Sequence, residues 1–128
     1  MSALIIQRAG SPAPAVPRTS TFTGLVWGQS VLPETDGVLI NQVSFAPGAR
    51  THWHSHRNGQ VLVVVSGAGK CVERGGGGGE ISIGDVVFIP PAVEHWHGAL
   101  QDSTLVHLAI SLGGHTWGEA VSGEDYLS

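Results

Sequence analysis

Charge is what this sequence has least of. Asp, Glu, Lys and Arg make up 12% of its 128 residues, against about 25% in an ordinary soluble domain. Lys and Arg number 6 and Asp and Glu 10, a net charge of −4 with histidine neutral. That balance excludes the basic face that nucleic-acid binding needs and offers nothing to an anionic membrane. No apolar run approaches the ~18 residues of a membrane-spanning helix. Cysteine is nearly absent: Cys71 stands alone, so no internal disulfide forms. Met1–Arg8 lacks a basic stretch followed by a long apolar core. No secretory signal is read there, and the expected compartment is the cytoplasm. Helical periodicity is also scarce. It is confined to one turn at Ser122–Leu127, which Ser122 could cap with Asp125 three residues on.

Two residue types are over-supplied instead. Glycine occurs 19 times, about twice its usual share. The 7 histidines outnumber Lys and Arg together. A hydrophobic content of 41% excludes a disordered chain, and the length suits one domain. The glycines punctuate short runs rich in β-formers, predicting strands at Phe22–Gln29, Val38–Phe45, Thr51–His54, Gln60–Ser66, Gly69–Glu73, Glu80–Ile83, Val86–Ile89, Glu94–Trp96 and Leu105–Leu112. Such spacing is that of an all-β sandwich, jelly roll or barrel. Residues 1–20 read as a short strand, Leu4–Arg8, and a proline-rich arm over residues 11–18, both part of a subunit contact. Residues 21–128 read as the barrel domain. Gly75–Gly79 lacks the lysine, the hydroxyl residue and the helix of a phosphate loop, and is expected to be a hairpin connection.

Two strands carry more information. Val61–Val65 is apolar at every position, which calls for cover on both faces. The arm could cover it within one chain. The favoured cover is a second copy, so a homodimer or homotetramer is expected. In Leu105–Leu112, apolar Val106, Leu108 and Ile110 alternate with small or polar His107, Ala109 and Ser111, the pattern of a cavity wall.

The histidines cluster in Thr51-His-Trp-His-Ser-His56 and Glu94-His-Trp-His97. Residues two apart on a strand share a face, so His54 pairs with His56 and His95 with His97. Two such pairs on separate strands can converge on one metal ion. The framework around them resembles the two cupin motifs. Gly48, His54, His56, Gln60 and Gly67 keep every spacing of the first, with glutamine for its glutamate. Gly84, Pro90, Ala92, His95 and Ala99 keep every spacing of the second, with alanine for its glycine and its asparagine. The resemblance implies a small barrel of double-stranded β-helix type with a metal near its centre. The stretches Phe45–Thr51, Gly59-Gln60, Gly84–Val87, His95–Ala99 and His107–Ile110 further resemble the manganese-dependent hydroxynitrile lyases of the cupin class, which also carry glutamine at the first motif's glutamate.

That resemblance implies His54, His56, Gln60 and His95 as metal ligands, His97, His107 and Thr51 as catalytic residues, and Asn41, Val43 and Ser111 as the substrate lining. The lining departs at Asn41 and Ser111, where those enzymes carry alanine and glutamine, and Asn41 makes it more polar. One divalent ion per chain is implied, with Mn²⁺ favoured and Fe²⁺, Ni²⁺ and Zn²⁺ admissible. Three imidazoles and an amide leave its full charge uncompensated, favouring anionic partners. His97 and His107 serve either as bases or as groups that only orient a ligand. Thr51 serves either as a hydroxyl donor or as a plain strand former. His52 is expected to face outward through a bulge after Gly48. Trp53, Trp96 and Glu94 are expected to point away from the metal, Cys71 to be a buried hydrophobe, and His115 to have no role. The expected activity is a metal-dependent lyase, cleaving or making cyanohydrins from an aldehyde or ketone and HCN. A cupin dioxygenase using Fe²⁺ and a small-molecule-binding protein without turnover are the alternatives.

Overall fold

The computed structural model describes residues 3–9 and 14–128. The chain runs through β1 (Val16–Pro17), β2 (Phe22–Thr23), β3 (Val26–Thr35), β4 (Val38–Phe45), β5 (Arg50–Thr51), β6 (His54–His56) and β7 (Gln60–Glu73). It continues through β8 (Gly78–Ser82), β9 (Val86–Ile89), β10 (His95–Ala99), β11 (Leu105–Leu112), β12 (His115–Trp117) and a terminal helical turn, α1 (Gly123–Leu127). The strand path is β1-β3-β4-β11-β7-β10-β5-β2. β8 and β9 also pair with β7, β6 with β10, and β12 with β6. The sheet curls into a β-barrel whose inside is reached from β3, β4, β11, β7, β10 and β5.

β7 makes the curl. Its first part pairs with β9 and β11, and its second with β8 and β10. Gly67 sits at the changeover with φ +77°, and an added Cβ would run into the Thr104 carbonyl. Only glycine can turn this corner. The register against β11 shifts between Val106 and His107, close to the same corner.

Alternation decides what lies inside. On β11, Leu105, His107, Ala109 and Ser111 are buried, and their neighbours are only half-buried. On β7, Gln60, Leu62 and Val64 are buried within the chain. Val61, Val63 and Val65 lie on the other face. Val26, Phe45, Leu62, Val64 and Leu105 belong to the main apolar core. Trp53, Trp96, Val121 and Tyr126 form a second cluster. There α1 docks: the Tyr126 hydroxyl donates to the Ala99 carbonyl at 2.6 Å, and the Ser122 hydroxyl caps the turn by accepting from the Asp125 amide.

Several sequence-based boundaries are corrected. Leu4–Arg8 is not a strand: no described strand pairs with it, and unpaired strand edges leave their amides without partners. Residues 10–13, including the start of the proline-rich arm, lie outside the described residues. The arm instead contributes β1, whose Val16 and Pro17 pair with Gly28 and Trp27 at the edge of the sheet, where proline is tolerated. Phe22–Gln29 is divided at Gly24, which has φ +83°. Gln60–Ser66 and Gly69–Glu73 run as one strand. Thr51–His54 is interrupted at His52 and Trp53, and the placing of Thr51 and His54 depends on that interruption.

Candidate metal centre

His52 and Trp53 leave the ladder to make other bonds. The His52 amide donates to Thr21, and the Trp53 amide to Glu119. The interruption brings Thr51 and His54, three residues apart, onto one cavity wall, whereas a regular strand would oppose them. His52 does not line that cavity. Trp53 and Trp96 pack in the outer cluster, as expected of them. Glu94 is taken by Arg74 at 2.8 Å. Cys71 is buried, and burial aided by Glu73 pushes its thiol up to about 12.

Opposite this wall, β10 brings His95 level with His54. Side-chain nitrogens of His54, His95 and His97 all lie within 4.8 Å of one another. The His54 ring centre is 4.3 Å from that of His95, 5.1 Å from His56 and 5.1 Å from His97. Three imidazoles therefore bring ligand atoms together, and His56 packs edge-on against the first of them. Sequence reasoning put His97 beside the metal, and the structure places it as close to His54 as His56 is.

The tautomers of two of these rings follow from their partners. His54 Nδ1 lies 2.9 Å from the His52 carbonyl, and His95 Nδ1 lies 3.0 Å from the Val93 carbonyl. A carbonyl only accepts, so each Nδ1 carries the proton and each Nε2 keeps its lone pair for the centre. His95 Nε2 is 3.1 Å from Gln60 Oε1, and the Gln60 amide donates to Ser111 Oγ at 3.0 Å. Two acceptors at that separation repel unless a cation lies between them or the amide is turned over. Two ligands bonded at right angles to one ion stand about 3 Å apart, given metal–ligand bonds of about 2.1 Å. His56 gives the firmer indication. Both its ring nitrogens are buried and have no hydrogen-bond partner among the described residues. A buried imidazole is rarely left so, and a metal ion is the partner this donor set fits.

Burial is the first cause of every histidine shift here. It holds His54 and His97 well below 6.5, lowers His95, and brings His56 and His107 down to about 4. Repulsion among the rings adds to the shift of His54, His56 and His97. All five are neutral at pH 7, as ligation requires.

His107 lies behind His97, its Nε2 3.0 Å from His97 Nδ1, and it is not part of the cavity wall. Thr51 Oγ1 accepts from the His97 backbone amide at 3.2 Å, leaving its own proton free. The cavity measures about 480 Å³ and includes Asn41, Val43 and Ser111, which come from β4 and β11. Sequence reasoning missed Arg18, His115 and Trp117, which also line it. Trp117 lies over His54 with ring centres 4.6 Å apart, and His115 is 6.4 Å from His56. A signal existed for these two: they stand two apart after Gly113-Gly114, a short strand that pairs with β6. Nothing in the sequence singled out Arg18.

A family model described as the cupin domain matches residues 41–111, more than half of the chain and every residue of the proposed ligand set. The chain belongs to the cupin family. This cupin is 41% identical over 127 residues to the (R)-mandelonitrile lyase of Granulicella tundricola, covering 94% of this chain and 97% of that one. Its structure is similar to that of a cupin-like protein from Thermotoga maritima, with a TM-score of 0.82 and 43% identity over 86% of this chain and 89% of that one. It also shares its fold with the polyketide cyclase RemF of Streptomyces resistomycificus. There the TM-score is 0.70 at 16% identity, over 98% of this chain and 91% of the cyclase. The double-stranded β-barrel expected from the motifs is the observed fold.

Proposed function

We propose that this cupin is a metal-dependent lyase that cleaves cyanohydrins to a carbonyl compound and HCN, and forms them in reverse. The observation that carries the reading is the His97–His107 pair beside a group of neutral imidazoles. It is supported by the extensive likeness to a relative named (R)-mandelonitrile lyase. His54, His56, Gln60 and His95 would hold one divalent ion, with Mn²⁺ favoured by the oxygen donor. When bound, that ion supplies Lewis acidity and a positive charge that no carboxylate ligand offsets.

The chain's own residues handle the proton. With His97 Nδ1–H donated to His107 Nε2, the buried His97 Nε2, which has no partner among the described residues, keeps its lone pair as the base on the cavity wall. It takes the cyanohydrin hydroxyl proton as the carbon–cyanide bond breaks and the carbonyl forms, then returns that proton to cyanide. The positive charge on His97 is shared with His107, which thus acts through His97 and not on the substrate. The Thr51 hydroxyl donates to the substrate oxygen, and Asn41, Val43 and Ser111 shape the remaining wall.

The deciding experiment pairs elemental analysis of the purified protein with mandelonitrile cleavage measured in air and under argon. About one manganese per chain is expected, with benzaldehyde and cyanide released equally fast without oxygen. No release, or release that requires oxygen, overturns the reading, and the latter favours a dioxygenase. The same proposal includes self-association. Val86 and Phe88 are each 65% exposed and pair with Val63 and Val61. Leu108 lies opposite Val63 on the far side of β7. This uncharged outer face suits a homodimer or homotetramer. Light scattering is expected to return twice or four times the chain mass, and a monomer would refute it.

A further inference from the structure

The cavity has a second pole. Arg18 follows β1, and its guanidinium stands over the bare backbone of β3 at Gly28, where an added Cβ would collide with Nε. Both Arg18 and Gly28 line the metal cavity. Arg18 is half-buried, yet neither ion pair among the described residues includes it. No hydrogen bond of its guanidinium and no stacking on an aromatic ring is found among the described residues either. Arg50 and Arg74, by contrast, are each engaged by a carbonyl or carboxylates as well as a ring. Asn41, on the cavity wall near Gly28, likewise has no side-chain hydrogen bond among the described residues.

A half-buried guanidinium with no partner among the described residues is free to take an anionic group. Its planar fork matches a carboxylate in two parallel hydrogen bonds. The cavity wall contains no Asp or Glu to compete, and about 480 Å³ accommodates one small organic molecule. Position also matters. The histidines proposed as ligands are carried by β6 and β10, whereas Arg18 lies against β3, four strands from β10 along the strand path. A ligand reaching from one to the other would present an oxygen at the histidine end and its anionic group at the arginine end.

We infer that Arg18 is a specificity residue, and that the preferred substrate is a carbonyl compound or its cyanohydrin bearing a carboxylate at the end remote from the reacting carbon. The reaction named here rests on the lyase reading. The carboxylate preference rests on Arg18, Gly28 and Asn41.

The test has a binding arm and a turnover arm, both on the metal-loaded protein. In the first, 4-formylbenzoate and benzaldehyde are titrated calorimetrically without cyanide. 4-Formylbenzoate is expected to bind about tenfold tighter or better, the effect of one charge-assisted bidentate pair. Arg18→Ala is expected to remove most of that preference, and Arg18→Lys to restore part of it. Gly28→Ala keeps the charge, introduces no strained φ and displaces the guanidinium, so it is expected to reduce the preference as well. In the second arm, 4-carboxymandelonitrile is compared with mandelonitrile. The ratio of their kcat/KM values is expected to fall about tenfold in Arg18→Ala, through KM and not kcat. Equal binding of the two aldehydes by the wild type, or a preference that survives both Arg18→Ala and Gly28→Ala, overturns the inference. An Arg18-dependent preference without cleavage of either nitrile supports it while refuting the lyase reading. Cleavage of both nitriles with no carboxylate preference does the reverse.

Discussion

Replacing His54 with alanine is expected to leave a folded protein with almost no metal. His54 is the ring that most of the others surround, with His95, His56 and His97 all within 5.1 Å of its centre. Its Nδ1 donates to the His52 carbonyl, which aims Nε2 at the centre, and alanine puts no lone pair in its place. Loss of a partner that only orients a ligand already costs about 10–100-fold in metal affinity, and loss of the ligand itself costs more. Metal content by elemental analysis is expected to fall from about one ion per chain to below about a tenth. The fold should survive, because His54 borders an existing cavity and lies outside the main apolar core. His52→Ala is the control: that ring does not line the cavity, and metal content should hold. Full occupancy in His54→Ala would refute the ligand set.

The second large effect is expected at His97. As the base, its removal should lower kcat by about 10²–10⁴-fold while metal content stays near one per chain. The geometry makes this a sharp test, because His97 belongs to the tight group with His54 and His95. If His97→Ala loses metal and rate together, His97 is a ligand and its role as the base is refuted. His107→Phe is expected to lose less. It leaves the His97 ring in place but frees its Nδ1, so the ring no longer holds its Nε2 lone pair toward the cavity. An unchanged rate in His97→Ala would remove the proposed proton carrier.

The histidine cluster was legible because metal coordination constrains both residue type and spacing. His54, His56, Gln60 and His95 are proposed as ligands from their likeness to two short motifs. The strand alternation of Leu105–Leu112 was equally readable, because its period of two follows from the pleat. What could not be read were departures from that period. Thr51 and His54 reach one wall because His52 and Trp53 bond to Thr21 and Glu119, residues far away along the chain. No local propensity encodes those partners. The run Val61–Val65 is legible only in part. Its inward residues are as apolar as its outward ones, so composition does not tell the buried Leu62 and Val64 from the less buried Val61, Val63 and Val65. Leu4–Arg8 shows the limit of propensity: strand formers make a strand only where an edge is available. Arg18 carried no signal, since its meaning depends on the bare backbone of Gly28 across a strand pair.

The wall of histidines also fixes the order in which this molecule can be completed. β6 carries two of the proposed ligands. Its partners are β10, some forty residues on, and β12, about sixty residues on. The wall next to it is closed by β5 against β2, from near the start of the chain. Contacts this distant in sequence form late, because large loops must close first. A metal ion held there would therefore not seed the barrel. It would arrive at a junction that exists only once strands from both halves of the chain have met, and its retention would report on the topology of the entire molecule.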